Sequence, residues 1–142
     1  MGVTLALALL VPGLAGASDA SFRVGLATWS HRIGVDACGI GLSAVHRHPR
    51  RLTARALRFR ADALRARRAL APVPVSSPRG RRAKLLALAA FREYGVVGLL
   101  WARAGRARVS HHQVTATEEA RLAAAHSKRG NVLLVTAGKL LR

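Results

Sequence analysis

The sequence has very little negative charge. Its 142 residues include six Asp plus Glu against 24 Lys plus Arg, which leaves a net charge of +18, and 21 of the cations are arginine. Chemistry based on paired carboxylates has few candidates, because Glu118 and Glu119 are adjacent and neighbouring positions on a helix point apart. The imbalance predicts polyanionic partners and says nothing about the fold.

Cysteine and aromatic residues are also scarce. Cys38 is the single cysteine, so no disulfide can form within the chain, and we expect its thiol to be a small buried side chain. Only six aromatic side chains are present, and much of the 51% hydrophobic content is alanine, which buries little area per residue. We therefore expect a thin core.

No motif for catalysis or for a cofactor is present. Among the six histidines, His46 and His48 flank the cationic Arg47, and the adjacent His111 and His112 lack the spacing of a structural zinc site. Six scattered acids leave few groups that would orient a histidine in a nucleophilic triad. The sequence predicts a protein that is not an enzyme, has no cofactor and no metal site, and shows no sign of a small-molecule substrate.

Residues 1–17 follow the order of a secretory signal peptide. An apolar run over 3–11 precedes Pro12 and Gly13, and small residues lead up to a cleavage point after Ala17. This interpretation makes the protein secreted, although no Lys or Arg precedes the run. The alternatives are a short buried helix over the same run, or import into a mitochondrion or another organelle, because the following sixty residues are Arg-rich and acid-poor.

Two segments are predicted to be irregular. Residues 18–46 contain four glycines among aliphatic residues, which disfavours a helix and predicts loops or short strands. Residues 71–82 combine Pro72, Pro74 and Pro78 with serines and arginines, a composition typical of an extended, disordered linker.

Residues 47–70 form a basic amphipathic helix, predicted over 51–70 between Pro49 and Pro72. Apolar residues recur at alternating intervals of four and three, which places them on one helical stripe. The stripe consists of Leu52, Ala56, Phe59, Ala63, Ala66 and Leu70. The arginines at 55, 58, 65 and 68 lie off this stripe, so we expect them to face outward.

Residues 83–142 are predicted to be a small α-rich region that ends in a strand. A helix is expected over 82–94, ending near Gly95. The apolar run that includes this helix is interrupted by Arg92 and Glu93, and from this we expect no transmembrane span.

The C-terminal part carries the clearest helix signals. Thr115 or Thr117 can cap a helix over 118–129, and Gly130 has the place of a C-terminal stop. The apolar run over 132–135 then predicts a buried strand. The fold class is therefore mainly α and partly disordered, with short helices and a small β contribution at the C-terminus.

Two short resemblances accompany these patterns. Phe91–Gly98, with the sequence FREYGVVG, resembles the octet that opens a conserved domain of unknown function in a family of mitochondrial inner-membrane proteins. The stretches 105–109, 118–120 and 129–132 resemble the C-terminal tail of quinone-reductase-type medium-chain dehydrogenases. The second resemblance implies an α-then-β ending, and neither implies a functional residue.

The concentration of cations in the middle of the chain predicts non-specific binding of a polyanion, either RNA or an acidic surface such as a membrane. The alternatives are a secreted basic interaction protein, and an unselected reading frame with no defined function whose composition reflects GC-rich DNA. The predicted binding residues are Arg51, Arg55, Arg58, Arg60, Arg65, Arg67, Arg68, Arg79, Arg81, Arg82 and Lys84.

Overall fold

The computed structural model describes residues 13–142, and they form four long helices. These are α1 (Gly13–Val45), α2 (Pro49–Leu70), α3 (Pro78–Val109) and α4 (Gln113–Leu140). Short connections make successive helices antiparallel. Helix α3 packs against both α2 and α4, and α1 packs mainly against α2. The mainly α prediction is confirmed, although the helices are long where short ones were expected. The apolar run over 3–11 lies outside the described residues.

Helix α1 corrects the prediction of loops or short strands over 18–46. Its buried side chains recur at intervals of four and three, as on α2, and they face the core in spite of the intervening glycines. Packing against α2 offsets the low helix propensity of glycine. The buried or half-buried members of this stripe are Phe22, Leu26, Trp29, Ile33, Asp36 and Ile40.

Cys38 lies off the α1 stripe and is exposed. The prediction of a buried thiol is therefore wrong, because the heptad pattern of α1 places positions 36 and 40 toward the core and position 38 toward solvent.

Helix α2 agrees with the sequence pattern. It begins at Pro49, a residue suited to the first turn because proline lacks a backbone N–H, and it ends at Leu70. All six residues of the predicted apolar stripe are buried. The amphipathic pattern thus predicts correctly which side of α2 faces the core.

Helix α3 continues far beyond the predicted end at 94. A Cβ atom on Gly98 would lie 2.7 Å from the carbonyl oxygen of Ala56, and one on Gly105 would lie 2.9 Å from that of Pro49. Glycines in this segment therefore allow α2 and α3 to approach closely, and they do not end the helix. Residues 78–82, predicted as part of the linker, form the first turn of α3, which the Ser77 side chain caps through the N–H of Gly80.

Helix α4 corrects two predictions at the C-terminus. Residues 132–135 are helical, and the described residues 13–142 contain no strand. Gly130 is buried inside α4 beneath the ring of Tyr94, so it provides room for that ring and does not stop the helix. Small residues recur every seven positions on the buried face of α4, and they are Ala116, Ala123, Gly130 and Ala137.

The expectation of no transmembrane span is contradicted by α3. This helix is long enough and apolar enough to cross a membrane, judged by length and composition. The interruption by Arg92 and Glu93 does not lower its apolar content enough to exclude a span. Half of the most apolar 18-residue stretch of α3 is buried inside the bundle, where α3 contacts all three other helices.

Candidate functional site

The outer side of α2 carries arginines along its whole length. The helix has 22 residues and therefore extends over about 33 Å. Because the apolar stripe faces inward, six of the predicted binding residues are exposed, namely Arg51, Arg55, Arg58, Arg65, Arg67 and Arg68. Arg60 is half-buried, because its side chain begins at the close approach of α2 to Gly98.

Two of these arginines, Arg55 and Arg58, also join α2 to α1, and a third, Arg65, pairs with an acid of α2 itself. Arg55 donates a hydrogen bond of 2.6 Å to the carbonyl oxygen of Gly39. The Nε atom of Arg58 lies 3.6 Å from Oδ1 of Asp36, and Arg65 donates to Oδ1 of Asp62 at 3.0 Å. The side chains of Arg58 and Arg65 remain 70% and 59% exposed, so their guanidinium groups still face solvent.

The predicted residues on α3 divide into two kinds. Arg81 donates to the carbonyl oxygen of Ser76, and Lys84 donates to that of Val73 at 2.7 Å, so both hold the connection between α2 and α3. Arg79 and Arg82 are exposed. In the described part of the chain, five of the predicted binding residues are exposed, and their side chains make no hydrogen bond or ion pair: Arg51, Arg67, Arg68, Arg79 and Arg82. We call them the free cations.

The free cations lie toward the two ends of the bundle. Arg67 and Arg68 are in the last turn of α2, and Arg79 and Arg82 are in the first turns of α3, beyond the short connection. Arg51 is in the first turn of α2, at the opposite end. The antiparallel fold therefore brings one group together across the connection at 71–77 and leaves Arg51 apart from it.

Sequence reasoning missed the neighbours of Arg51. Arg50 and Arg108 line a depression of about 430 Å³ with Arg51, His48 and His111. Arg108 belongs to the end of α3, so only the antiparallel pairing of α2 with α3 brings it to this place. A pattern confined to one segment of the chain carries no signal for such a contact.

The carboxylates of α1 and α2 are turned inward. Asp62 has a fully buried side chain that accepts hydrogen bonds from Arg32 at 2.9 Å and from Arg65 at 3.0 Å. Burial alone would raise the pKa of Asp62, but the hydrogen bonds from Arg32 and Arg65 help to outweigh it and hold the pKa below its usual value of 3.8. The Asp62 carboxylate thus stays charged inside the protein, and its charge is balanced by Arg32 and Arg65.

Asp36 lies beside this pair and is only 10% exposed. Burial and the neighbouring Asp62 carboxylate raise the pKa of Asp36 above 3.8. Asp19, on the first turns of α1, accepts hydrogen bonds from the backbone N–H of Ser76 at 2.9 Å and from the Ser77 hydroxyl. No described acid on α1 or α2 is therefore an exposed, unpartnered carboxylate.

The acids of α3 and α4 lie closer to solvent. Oε2 of Glu93 is 2.6 Å from Nδ1 of His126 and 3.6 Å from Nε of Arg129. Glu119 is 3.9 Å from Arg103, and Glu118 is exposed on the first turns of α4. The α4 side of the molecule thus carries charge of both signs, whereas the α2 side carries positive charge alone.

The histidines and Cys38 do not converge on a common point. Over residues 13–142, no group of three or more His, Cys, Asp or Glu side chains is placed to hold a metal ion. His46 and His48 are neighbours in the turn between α1 and α2, with ring centroids 6.5 Å apart.

Comparison of the chain with protein-family models, with curated proteins and with solved structures gives no match. The predicted α-then-β ending implied by the dehydrogenase resemblance is wrong, since residues 129–132 and those that follow are helical.

Proposed function

We propose that this protein is a non-enzymatic binder of polyanions, and that single-stranded RNA is the partner it binds through α2 and the first turns of α3. The observation that carries the proposal is the inward orientation of Asp36 and Asp62. These carboxylates are paired with arginines between α1 and α2, so the seven exposed arginines of α2 have no exposed acid of α1 or α2 beside them in the described structure. The potential outside α2 is therefore strongly positive.

Binding by this surface relies on phosphate contacts. Arginine presents a planar fork of N–H groups that matches phosphate oxygens and also stacks on unpaired bases, which are more accessible in single-stranded RNA than in a duplex. Phe59, the one aromatic residue of α2, is buried against α3 and offers no stacking surface. We therefore expect little dependence on base sequence.

A charge-matched pair of variants tests the proposal. The triple variant Arg51→Gln, Arg67→Gln, Arg68→Gln removes three free cations from α2. The control variant Arg121→Gln, Lys128→Gln, Lys139→Gln removes the same charge from exposed positions of α4 that make no ion pair in the described structure. Binding of fluorescently labelled oligouridylate is followed by anisotropy at about 0.15 M salt, where charges beyond about 8 Å are screened.

The expected result is that the α2 variant loses about tenfold or more in affinity, while the control changes less than about threefold. Equal losses in both variants would show that net charge alone determines binding, and would contradict a specific surface. Vesicles containing phosphatidylserine provide the second arm. Binding to these vesicles without binding to RNA would replace RNA with an acidic membrane surface as the partner.

A further inference from the structure

The bundle is open on one side. In a closed four-helix bundle of this order α1 and α4 would be neighbours, yet they barely approach each other here. Near the end of the bundle, Arg23 reaches the carbonyl oxygen of Leu141 at 3.5 Å. Further along, the two helices are separated by a cavity of about 410 Å³.

All four helices contribute to this cavity, which we call the α1–α4 cleft. Phe59 of α2 and Tyr94, Val97 and Trp101 of α3 form its inner wall, and α1 and α4 form its sides. The lining from α1 includes Ile33, Ala37 and Ile40 together with Gly34 and Gly41, and α4 adds Leu134. The cleft is therefore mostly apolar, and none of the described residues that line it is charged.

Polar groups are confined to Ser30, Tyr94, Ser127 and Asn131. The Tyr94 hydroxyl donates a hydrogen bond of 2.7 Å to Oδ1 of Asn131. Burial raises the pKa of Tyr94 to about 12, so the phenol keeps its proton at ordinary pH and continues to donate. This bond uses the oxygen of Asn131 and leaves its amide N–H groups, with the Ser127 hydroxyl, as donors beside the cleft.

We propose that the α1–α4 cleft binds a neutral, apolar small molecule that carries one hydrogen-bond acceptor. The volume is in the range of about 300–1,000 Å³ that small-molecule sites occupy, and an apolar lining with a few polar groups at one place is their usual composition. The absence of charged lining residues separates this site from the polyanion surface, and neither site depends on the other. The sequence shows no sign of such a ligand, because the residues that line the cleft come from four separate segments of the chain.

The neutral dye N-phenyl-1-naphthylamine is a suitable probe, since it becomes fluorescent in apolar surroundings and accepts excitation energy from tryptophan. An anionic dye would bind the cationic surface regardless of the cleft. We expect saturable binding of one dye molecule per chain, energy transfer from Trp101, and an affinity that changes little with salt. The RNA affinity, by contrast, is expected to fall as salt rises.

The glycines of the bundle supply a blocking variant and its control. In the described structure a Cβ atom on Gly34 or on Gly138 would meet nothing within 4 Å, so the first added carbon of Gly34→Leu and of Gly138→Leu causes no clash. Gly34 lines the cleft, whereas Gly138 does not. Both changes replace a helical glycine with a strong helix former, so neither is expected to unfold the protein.

We expect Gly34→Leu to weaken dye binding about tenfold or more, equivalent to about 1.4 kcal/mol, and Gly138→Leu to leave it unchanged. Circular dichroism checks that both variants remain helical. Absence of saturable binding to the unmodified protein, or equal binding by the Gly34→Leu variant, would overturn the proposal. A dimer that becomes monomeric on Gly34→Leu substitution would also overturn it, since a second copy of the chain would then occupy the cleft.

Discussion

Helices α1 and α3 have nearly the same length, 33 and 32 residues, and both pack against α2, but they are attached in different ways. Glycines of α3 lie where a Cβ atom would collide with the backbone of α2, as at Gly98. On α1, a Cβ atom added to Gly34 or Gly41 would meet no atom of the described structure within 4 Å. Helix α3 is thus fixed by close packing, whereas α1 is attached on one side and leaves a cleft on the other.

Polar contacts add to the apolar attachment of α1. Arg32 and Asp36 of α1 meet Asp62 and Arg58 of α2, and Asp19 holds the connection between α2 and α3. The comparison teaches that the same residue type, glycine, serves opposite purposes in the two helices. It also shows why the outside of α2 is cationic: the nearby acids, Asp36 and Asp62, are paired with arginines between α1 and α2.

The largest expected effect is at Gly98. In Gly98→Leu, the new side chain would displace α2, because the first added carbon already lies 2.6 Å from Cβ of Arg60 and 2.7 Å from the backbone oxygen of Ala56. We expect a loss of about 3 kcal/mol or more in the free energy of unfolding. Gly34→Ala is the contrasting change on α1, and a stabilisation of about 0.5–1 kcal/mol is expected from helix propensity. Urea denaturation followed by circular dichroism measures both.

The test depends on the sign of the change in the free energy of unfolding for each of these two variants. Destabilisation by both would mean that α1 is as closely packed as α3. A transition that is not cooperative in the unmodified protein would favour an unselected reading frame over the folded bundle.

A smaller loss is expected from Asp62→Ala, which removes one charge-assisted hydrogen bond from Arg32 of α1 and another from Arg65 of α2. The guanidinium groups of Arg32 and Arg65 stay 48% and 59% exposed and can be solvated, so we expect a cost of about 2 kcal/mol. Glu118→Ala, which removes an exposed acid of α4, is the control and should change stability by less than about 0.5 kcal/mol. A similar small change for Asp62→Ala would show that the contact between α1 and α2 does not depend on this carboxylate.

The pH dependence of stability tests the role of Asp36 in the contact between α1 and α2. Its pKa is raised in the folded protein, so the stability it contributes is present at and below its unfolded value of 3.8 and is lost as the pH rises through the folded value. Asp62 acts in the opposite sense, with stability lost as the pH falls through its lowered pKa. The Asp36→Asn variant keeps nearly the same side-chain volume and removes the titrating group.

We therefore expect the stability of the unmodified protein, measured relative to Asp36→Asn, to decline as the pH rises above 3.8. Urea denaturation at a series of pH values gives this difference. If the two stabilities run parallel across the series, Asp36 does not titrate differently in the folded protein.

The smallest effect is expected from Asp19→Asn. Hydrogen bonds from the Ser77 hydroxyl and the Ser76 N–H lower the pKa of Asp19, so its contribution is lost as the pH falls below 3.8. Removing the charge should speed amide hydrogen exchange in the first turns of α1 and at Ser76, and leave the middle of α3 unchanged. Faster exchange throughout α3 would show that this contact supports the whole bundle.

The sequence alone predicts α2 well, because its apolar stripe has the helical period and lies between two prolines. It fails where glycine predicts a helix break. At α1 the packing of the apolar stripe on α2 offsets the glycines, and after residues 94 and 129 the glycines allow the close approach of another helix, which is not visible in a local pattern. The outward arginines of α2 follow from the same stripe. The burial of Asp62 and the proximity of Arg108 to Arg51 depend on tertiary pairing, and the secretion prediction stays a prediction.

The salt dependence of RNA binding tests the central claim most directly. About six phosphate contacts to a single strand give a slope near −4 in a plot of the logarithm of the binding constant against the logarithm of salt concentration. The α2 variant that lacks Arg51, Arg67 and Arg68 should show a slope shallower by about 2, while the α4 control keeps the original slope. A slope near zero for the unmodified protein, or equal slopes in all three proteins, would contradict the account.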